Sequence, residues 1–163
     1  HEPGGERRQG GANTMKSAAL AAVRTGDAAA LEAALSADES AAEAVDEGGV
    51  SILLQAVYRG RADLVDLILA AEPALDVCEA AALGHPEWIE DLLDVDPEAV
   101  QAQSADGFTA LHLAAQFGHG NCVDVLLRRG ADARILAADG RNVEQIAADA
   151  GHEKLAAHLR MIG

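Results

Sequence analysis

The feature that most constrains this chain is a fixed repeat. Asp106-Gly107 returns as Asp139-Gly140, and Gly118-His119 returns as Gly151-His152, each 33 residues later. A constant period of this length marks a stacked helical repeat, because one repeat is too small to bury its own apolar face and must lean on its neighbours. Stability is then close to a sum over repeats and their interfaces, with polar outer faces on the terminal copies.

The glycine of that Gly-His pair serves as a ruler. It falls at Gly26, Gly60, Gly84, Gly118 and Gly151, with spacings of 34, 24, 34 and 33 by subtraction. Each follows an Ala-rich helical stretch and precedes a second apolar one: Leu31, Ala34 and Leu35; Val65, Ile68 and Leu69; Ile89, Leu92 and Leu93; Val123, Leu126 and Leu127; Leu155, His158 and Leu159. Spacings of three and four put each set on one helical face, and glycine supplies the left-handed turn that ends the first helix. The pattern predicts helix pairs near 15–37, 50–71, 74–95, 108–130 and 141–162. A Gly-rich polar segment over 1–14 is expected to be a flexible tail or an appended remnant. Lys16, Ser17, Arg24 and Glu32 in the first pair, and Asp149, Glu153, Lys154 and Arg160 in the last, suit capping repeats.

Residues 106–132, DGFTALHLAAQFGHGNCVDVLLRRGAD, carry the best-formed copy. Gly107, Thr109, Leu111, His112, Ala114, Ala115, Gly118, His119, Leu126, Leu127, Gly130, Ala131 and Asp132 stand in the register of the ankyrin repeat, with Ala110 in place of the usual proline. The chain thus resembles a bacterial-type, stand-alone ankyrin-repeat protein. The resemblance implies an all-α solenoid of about five helix pairs joined by short β-turn fingers. The 24-residue spacing between Gly60 and Gly84 then leaves no room for one finger, between the second and third pairs. It also implies protein recognition through a concave face made by the first helices and the fingers. The expected contact residues are Arg24, Tyr58, Arg59, Leu83, Phe108, Gln116, Phe117 and Asp149. Three of the four aromatics (Tyr58, Phe108 and Phe117) fall among them, and with Leu83 they would form an apolar stripe of the kind that carries binding hot spots.

Composition narrows the partners. With 27 acidic residues against 12 Lys and Arg, the net charge is −15, which disfavours nucleic acid and anionic membranes. It leaves open an acidic regulatory or inhibitor subunit that binds a basic target. Cys78 and Cys122 read as small core residues of a reducing, cytoplasmic compartment. By the glycine ruler, Cys78 takes the slot of His112. No apolar run reaches membrane-spanning length, and no leader is recognisable. The sequence carries no Gly-x-Ser-x-Gly, phosphate loop, His-Glu-x-x-His or Cys-x-x-Cys motif. Neither an enzyme, a cofactor nor a metal is expected. His85, His119 and His152 follow the period and should fix turns by bonding local backbone. A monomer is expected, with self-association through the tail as the alternative.

Overall fold

The computed structural model describes residues 3–162, with side chains described from Thr14 onward. Among these residues run ten α-helices: α1 (Pro3–Thr25), α2 (Ala28–Ala37), α3 (Ile52–Tyr58), α4 (Ala62–Ala70), α5 (Val77–Leu83), α6 (Pro86–Val95), α7 (Ala110–Gln116), α8 (Gly120–Arg128), α9 (Val143–Asp149) and α10 (Glu153–Ile162). Short 3-10 helices at Glu39–Glu43 and Pro97–Gln101 follow α2 and α6. The first helix begins at Pro3, well ahead of the start expected near residue 15. Residues 1 and 2 of the expected tail lie outside the described residues.

The chain forms two compact units, His1–Ala74 and Leu75–Gly163, where its length alone suggests one domain. In the N-terminal unit α1 packs on α2 and α3, and α2 and α3 each pack on α4. In the C-terminal unit α5 packs on α7 and α7 on α9, while α6 packs on α8.

Local chemistry sets where the first helices start. Ser51, Asp76, Thr109 and Asn142 precede α3, α5, α7 and α9, and each side chain accepts the N–H three residues on, from Leu54, Glu79, His112 and Gln145. At Asp76, Thr109 and Asn142 the third residue's side chain returns to the cap N–H, which closes a reciprocal box. Each such cap contributes about 1 kcal/mol. Apolar residues three or four apart then turn inward, as Leu31 with Leu35, Leu64 with Ile68, Ile89 with Leu93 and Val123 with Leu126.

Counting from the caps corrects one expectation. Asp76-x-x-Glu79 aligns with Thr109-x-x-His112, so the His112 slot in the third pair belongs to Glu79, not Cys78. A residue separates α3, α7 and α9 from their turn glycines (Arg59, Phe117 and Ala150), whereas Gly84 follows α5 directly. The third pair is therefore one residue short at the helix end as well as lacking a finger.

Three fingers share one hydrogen-bond pattern. The N–H of Asp46, Ser104 or Ala137 donates to the carbonyl four residues on, at Val50, Phe108 or Arg141, over 3.0, 2.7 and 2.9 Å. Between α4 and α5 the chain runs Ala71–Asp76 instead. Glu72 takes a positive φ of 54° there, and the Ala74 N–H donates to the Glu43 carboxylate at 3.0 Å.

The core is aliphatic. Among the described residues its largest fully buried side chains are leucines and isoleucines, with His112 the one polar member. Alanines such as Ala19, Ala22, Ala80, Ala81, Ala114 and Ala147 fill the remaining space, and small side chains let helices approach closely.

Candidate interaction ridge

In the C-terminal unit, the turns after the first helices are fastened from one pair to the next. The His119 Nε2–H donates to the Ala82 carbonyl at 3.1 Å, and the His152 Nε2–H to the Gln116 carbonyl at 3.0 Å. Each imidazole lies against the preceding turn glycine. A Cβ on Gly84 would come within 2.7 Å of the His119 ring, and one on Gly118 within 2.7 Å of the His152 ring. Both glycines also have positive φ, +84° and +73°, so they combine backbone freedom with an open seat for the ring. The expected local backbone contact is thus a contact to the preceding pair. His85 behaves differently: its Nδ1 meets Glu87 at 3.3 Å and its ring stacks on Trp88 at 4.0 Å.

His112 is held at both nitrogens. Its Nδ1 accepts the Thr109 N–H at 3.0 Å, and its Nε2–H donates to the Ile135 carbonyl at 2.8 Å. Only the neutral ring satisfies both bonds. Burial, above all, pulls the His112 imidazole below its ordinary value, and burial does the same to His119.

These fasteners bring five of the expected contact residues onto neighbouring ends and fingers. Leu83 ends α5, Gln116 ends α7 and Phe117 caps it, Asp149 ends α9, and Phe108 closes the second finger. Leu83, Phe108, Gln116 and Phe117 are partly buried and Asp149 is exposed. The Phe117 ring lies 6.5 Å from that of His119, and Phe108 meets the His112 ring edge-on at 6.3 Å. The Ala138 N–H of the third finger donates to the Gly107 carbonyl of the second at 3.0 Å. Asp149 is engaged by Arg141, whose guanidinium reaches it at 3.1 Å and Asp139 at 2.8 Å. Arg141 thereby ties the third finger to the end of α9, a role its sequence position alone does not reveal.

The other three expected residues belong to the N-terminal unit. Arg24 lies in the last turn of α1, Tyr58 ends α3, and Arg59 caps α3. The fastener there is Arg61, whose Nη1 would stand 2.5 Å from a Cβ on Gly26. Arg61 bonds to its own neighbour Asp63 at 2.9 Å.

Little here favours covalent chemistry. Burial, followed by the charges of Asp76, Glu79 and Asp106, pushes the Cys78 thiol up to about 12. Burial, with Glu87 behind it, pushes Cys122 up to about 11. Such thiols stay protonated and inert. Among the described residues no cluster of His, Cys, Asp and Glu could hold a metal, and no helix is long and apolar enough to cross a membrane.

Paired helices, capped first turns, hairpin-like fingers and pair-to-pair fasteners define the class: an all-α repeat protein. The description "Ankyrin repeats (3 copies)" matches residues 77–162, more than half of the chain. The chain belongs to the ankyrin-repeat family. It is similar to the human SH3 and multiple ankyrin repeat domains protein 2, 32% identical over 85 residues that cover 52% of this chain and 4% of that protein. Human ankyrin repeat and SOCS box protein 3 is 34% identical over 92 residues, 55% of this chain and 17% of that protein. Human ankyrin repeat domain-containing protein 40 is 35% identical over 68 residues, 42% of this chain and 18% of that protein. The chain thus spans only a small part of these relatives. Ankyrin repeats are protein–protein interaction modules, and that is the level at which the family describes this chain.

Proposed function

We propose that the chain binds a partner protein through its first-helix ends and fingers, without catalysis. The observation that carries this reading is the placement of the aromatics. None of the four is fully buried, and the core is built of Leu, Ile, Val and Ala instead. Tyr58, Phe108 and Phe117 are partly buried at helix ends or in a finger. Large apolar side chains so placed are the usual anchors of an interface. Support also comes from His112, His119 and His152, whose bonds to carbonyls give each a scaffold role. The fastened ends form a rigid presenting surface, which lowers the ordering cost of binding.

The test is affinity capture from a native lysate, followed by titration of the captured partner against variants. Phe108→Ala with Phe117→Ala should weaken binding by about 30-fold or more, with helicity unchanged. Trp88→Ala, in the second helix α6, should leave affinity unaltered. A partner held equally well by the Phe108/Phe117 variant would remove the ridge from the reading.

A further inference from the structure

The fingers repeat a chemistry as well as a shape. The second and third carry the same tripeptide, Ala105-Asp106-Gly107 and Ala138-Asp139-Gly140. Their glycines take φ of +87° and +85°, a region that favours glycine over every other residue. An aspartate placed before glycine has a nucleophile beside its carboxyl group. It is the next backbone nitrogen, with no side chain to shield it. The first finger has Gly48-Gly49 at this point and lacks the carboxyl. The fold thus holds one reactive pair twice, in the same turn and after the same residue.

The two copies are covered differently. Gly107 lies under the next finger: its carbonyl accepts the Ala138 N–H at 3.0 Å, and a Cβ on Gly107 would collide with that of Ala138. Asp106 is partly buried, and its carboxylate accepts the Ser104 hydroxyl, whose oxygen in turn accepts the Phe108 N–H at 3.2 Å. Gly140 is exposed, with nothing within 4 Å of where its Cβ would stand. What holds Asp139 is Arg141, through its N–H at 3.1 Å and its guanidinium at 2.8 Å. That guanidinium, by its side-chain bond above all, keeps the Asp139 carboxyl below the usual carboxylate range. The pair is 35% and 41% exposed on its two sides, and ion pairs so open to solvent are weak. Local opening of this finger therefore meets little resistance.

We infer that Asp139-Gly140 is a site of backbone modification, where the chain closes to a succinimide and reopens as isoaspartate, while Asp106-Gly107 is spared. The Gly140 nitrogen gives up its proton and attacks the side-chain carboxyl carbon of Asp139. A C–N bond forms, the C–OH bond breaks, and hydroxyl and proton leave together as water. Water then adds to one of the two ring carbonyls and breaks its C–N bond. Addition at the side-chain carbonyl restores aspartate. Addition at the main-chain carbonyl leaves the backbone running through the former side chain. Composition is unchanged, and no oxidant or reductant takes part. The neutral carboxyl is the form that loses water, so Arg141, which keeps Asp139 ionised and bonded, acts as a guard. The product lengthens the main chain inside a turn closed by the Ala137 N–H on the Arg141 carbonyl at 2.9 Å. It also takes from Arg141 one of the two carboxylates by which this residue ties the finger to the end of α9. The site is independent of any partner, but its product would loosen one end of the ridge.

The experiment is prolonged incubation of the full chain in heavy-oxygen water at neutral pH, followed by peptide mapping with mass spectrometry. Each passage through the ring leaves a heavy oxygen on the reopened residue, whichever way it opens. Asp139 should take up label about 2- to 10-fold faster than Asp106, the rate equivalent of the extra hydrogen bond over Gly107. In urea the two rates should converge, because the tripeptides are identical. Arg141→Ala, with helicity checked by circular dichroism, should speed labelling at Asp139 by about 2- to 5-fold and leave Asp106 as it was. An aspartate-directed protease should fail to cut before part of the labelled Asp139, which identifies isoaspartate. Equal labelling of the two sites in the folded chain, faster labelling of Asp106, or none at Asp139 would overturn the inference, and this comparison needs no variant. Label found only in residues that the protease still cuts would remove the isoaspartate product. An Arg141→Ala chain that labels no faster would remove the guard.

Discussion

The same turn is fastened in two ways. In the C-terminal unit an imidazole sits on the preceding glycine and donates to the preceding helix, as His119 does to Ala82 and His152 to Gln116. In the N-terminal unit Arg61 occupies the corresponding place over Gly26, but its bonds go to Asp63, two residues along its own chain. One fastener is directional and joins pair to pair. The other covers its neighbour and bonds elsewhere, leaving the register of α1 against α3 to apolar packing. A seat made by glycine can therefore be filled by unlike side chains, and only the imidazole turns it into a lock.

The contrast can be broken most severely at the seat. Gly118→Ala forces a left-handed φ of +73° on an L-residue and drives a Cβ into the His152 ring. The expected loss is about 2–4 kcal/mol in urea unfolding, strain and overpacking together. Gly60→Ala has a similar φ of +68° and open space, so it should lose only about 1–2 kcal/mol. Equal losses would mean that the ring's seat is unimportant.

Removing the fasteners comes next in size. His119→Ala strands the Ala82 carbonyl and empties the seat, for about 1–3 kcal/mol. Arg61→Ala removes an ion pair that is 39% and 53% exposed on its two sides, and should fall within about 0.5 kcal/mol. An Arg61→Ala loss as large as that of His119→Ala would erase the distinction between lock and cover.

Acid should separate the units more gently. His112 and His119 are held below their ordinary value of 6.5 when folded, chiefly by burial. Their contribution is thus present above the unfolded value and is lost as the pH falls below it. Residues 14–74 contain no histidine. Amide protection, the exchange rate taken relative to that of an open chain at the same pH, should therefore fall between pH 7 and about pH 5 in α7 and α9 before α3. A uniform fall in protection would count against the imidazoles. The smallest effect concerns the thiols, which should resist a disulfide reagent in the native chain at pH 8 and react fully in denaturant.

Much of this scaffold is legible in the sequence because its chemistry is local. Glycine at a left-handed turn leaves a trace that few other residues can substitute, and apolar residues at spacings of three and four reveal the buried faces. The short third pair was hidden by the choice of ruler. Measured from glycine, Cys78 takes the place of His112. Measured from the cap, Asp76-x-x-Glu79 announces itself as a capping box and assigns the place to Glu79. The fasteners' targets were not legible, since a carbonyl 36 or 37 residues upstream has no residue signature. Nor were the two ion pairs of Arg141, to Asp139 and Asp149, which depend on where the finger lies against α9. The scarcity of aromatics did make Tyr58, Phe108 and Phe117 conspicuous, because an aliphatic core had no need of them.

The lock has a consequence for how such a chain can lengthen. Residues 106–138 contain both the seat, Gly118, and the bolt, His119, whose ring belongs in the seat of the pair before. A tandem duplication of that stretch would place the copied bolt opposite the original seat and leave a fresh seat for His152. Growth by one period keeps every lock matched, whereas an insertion that parted Gly118 from His119 would not. The fastener is thus also a grammar for recombination, and it accepts new repeats only in whole units.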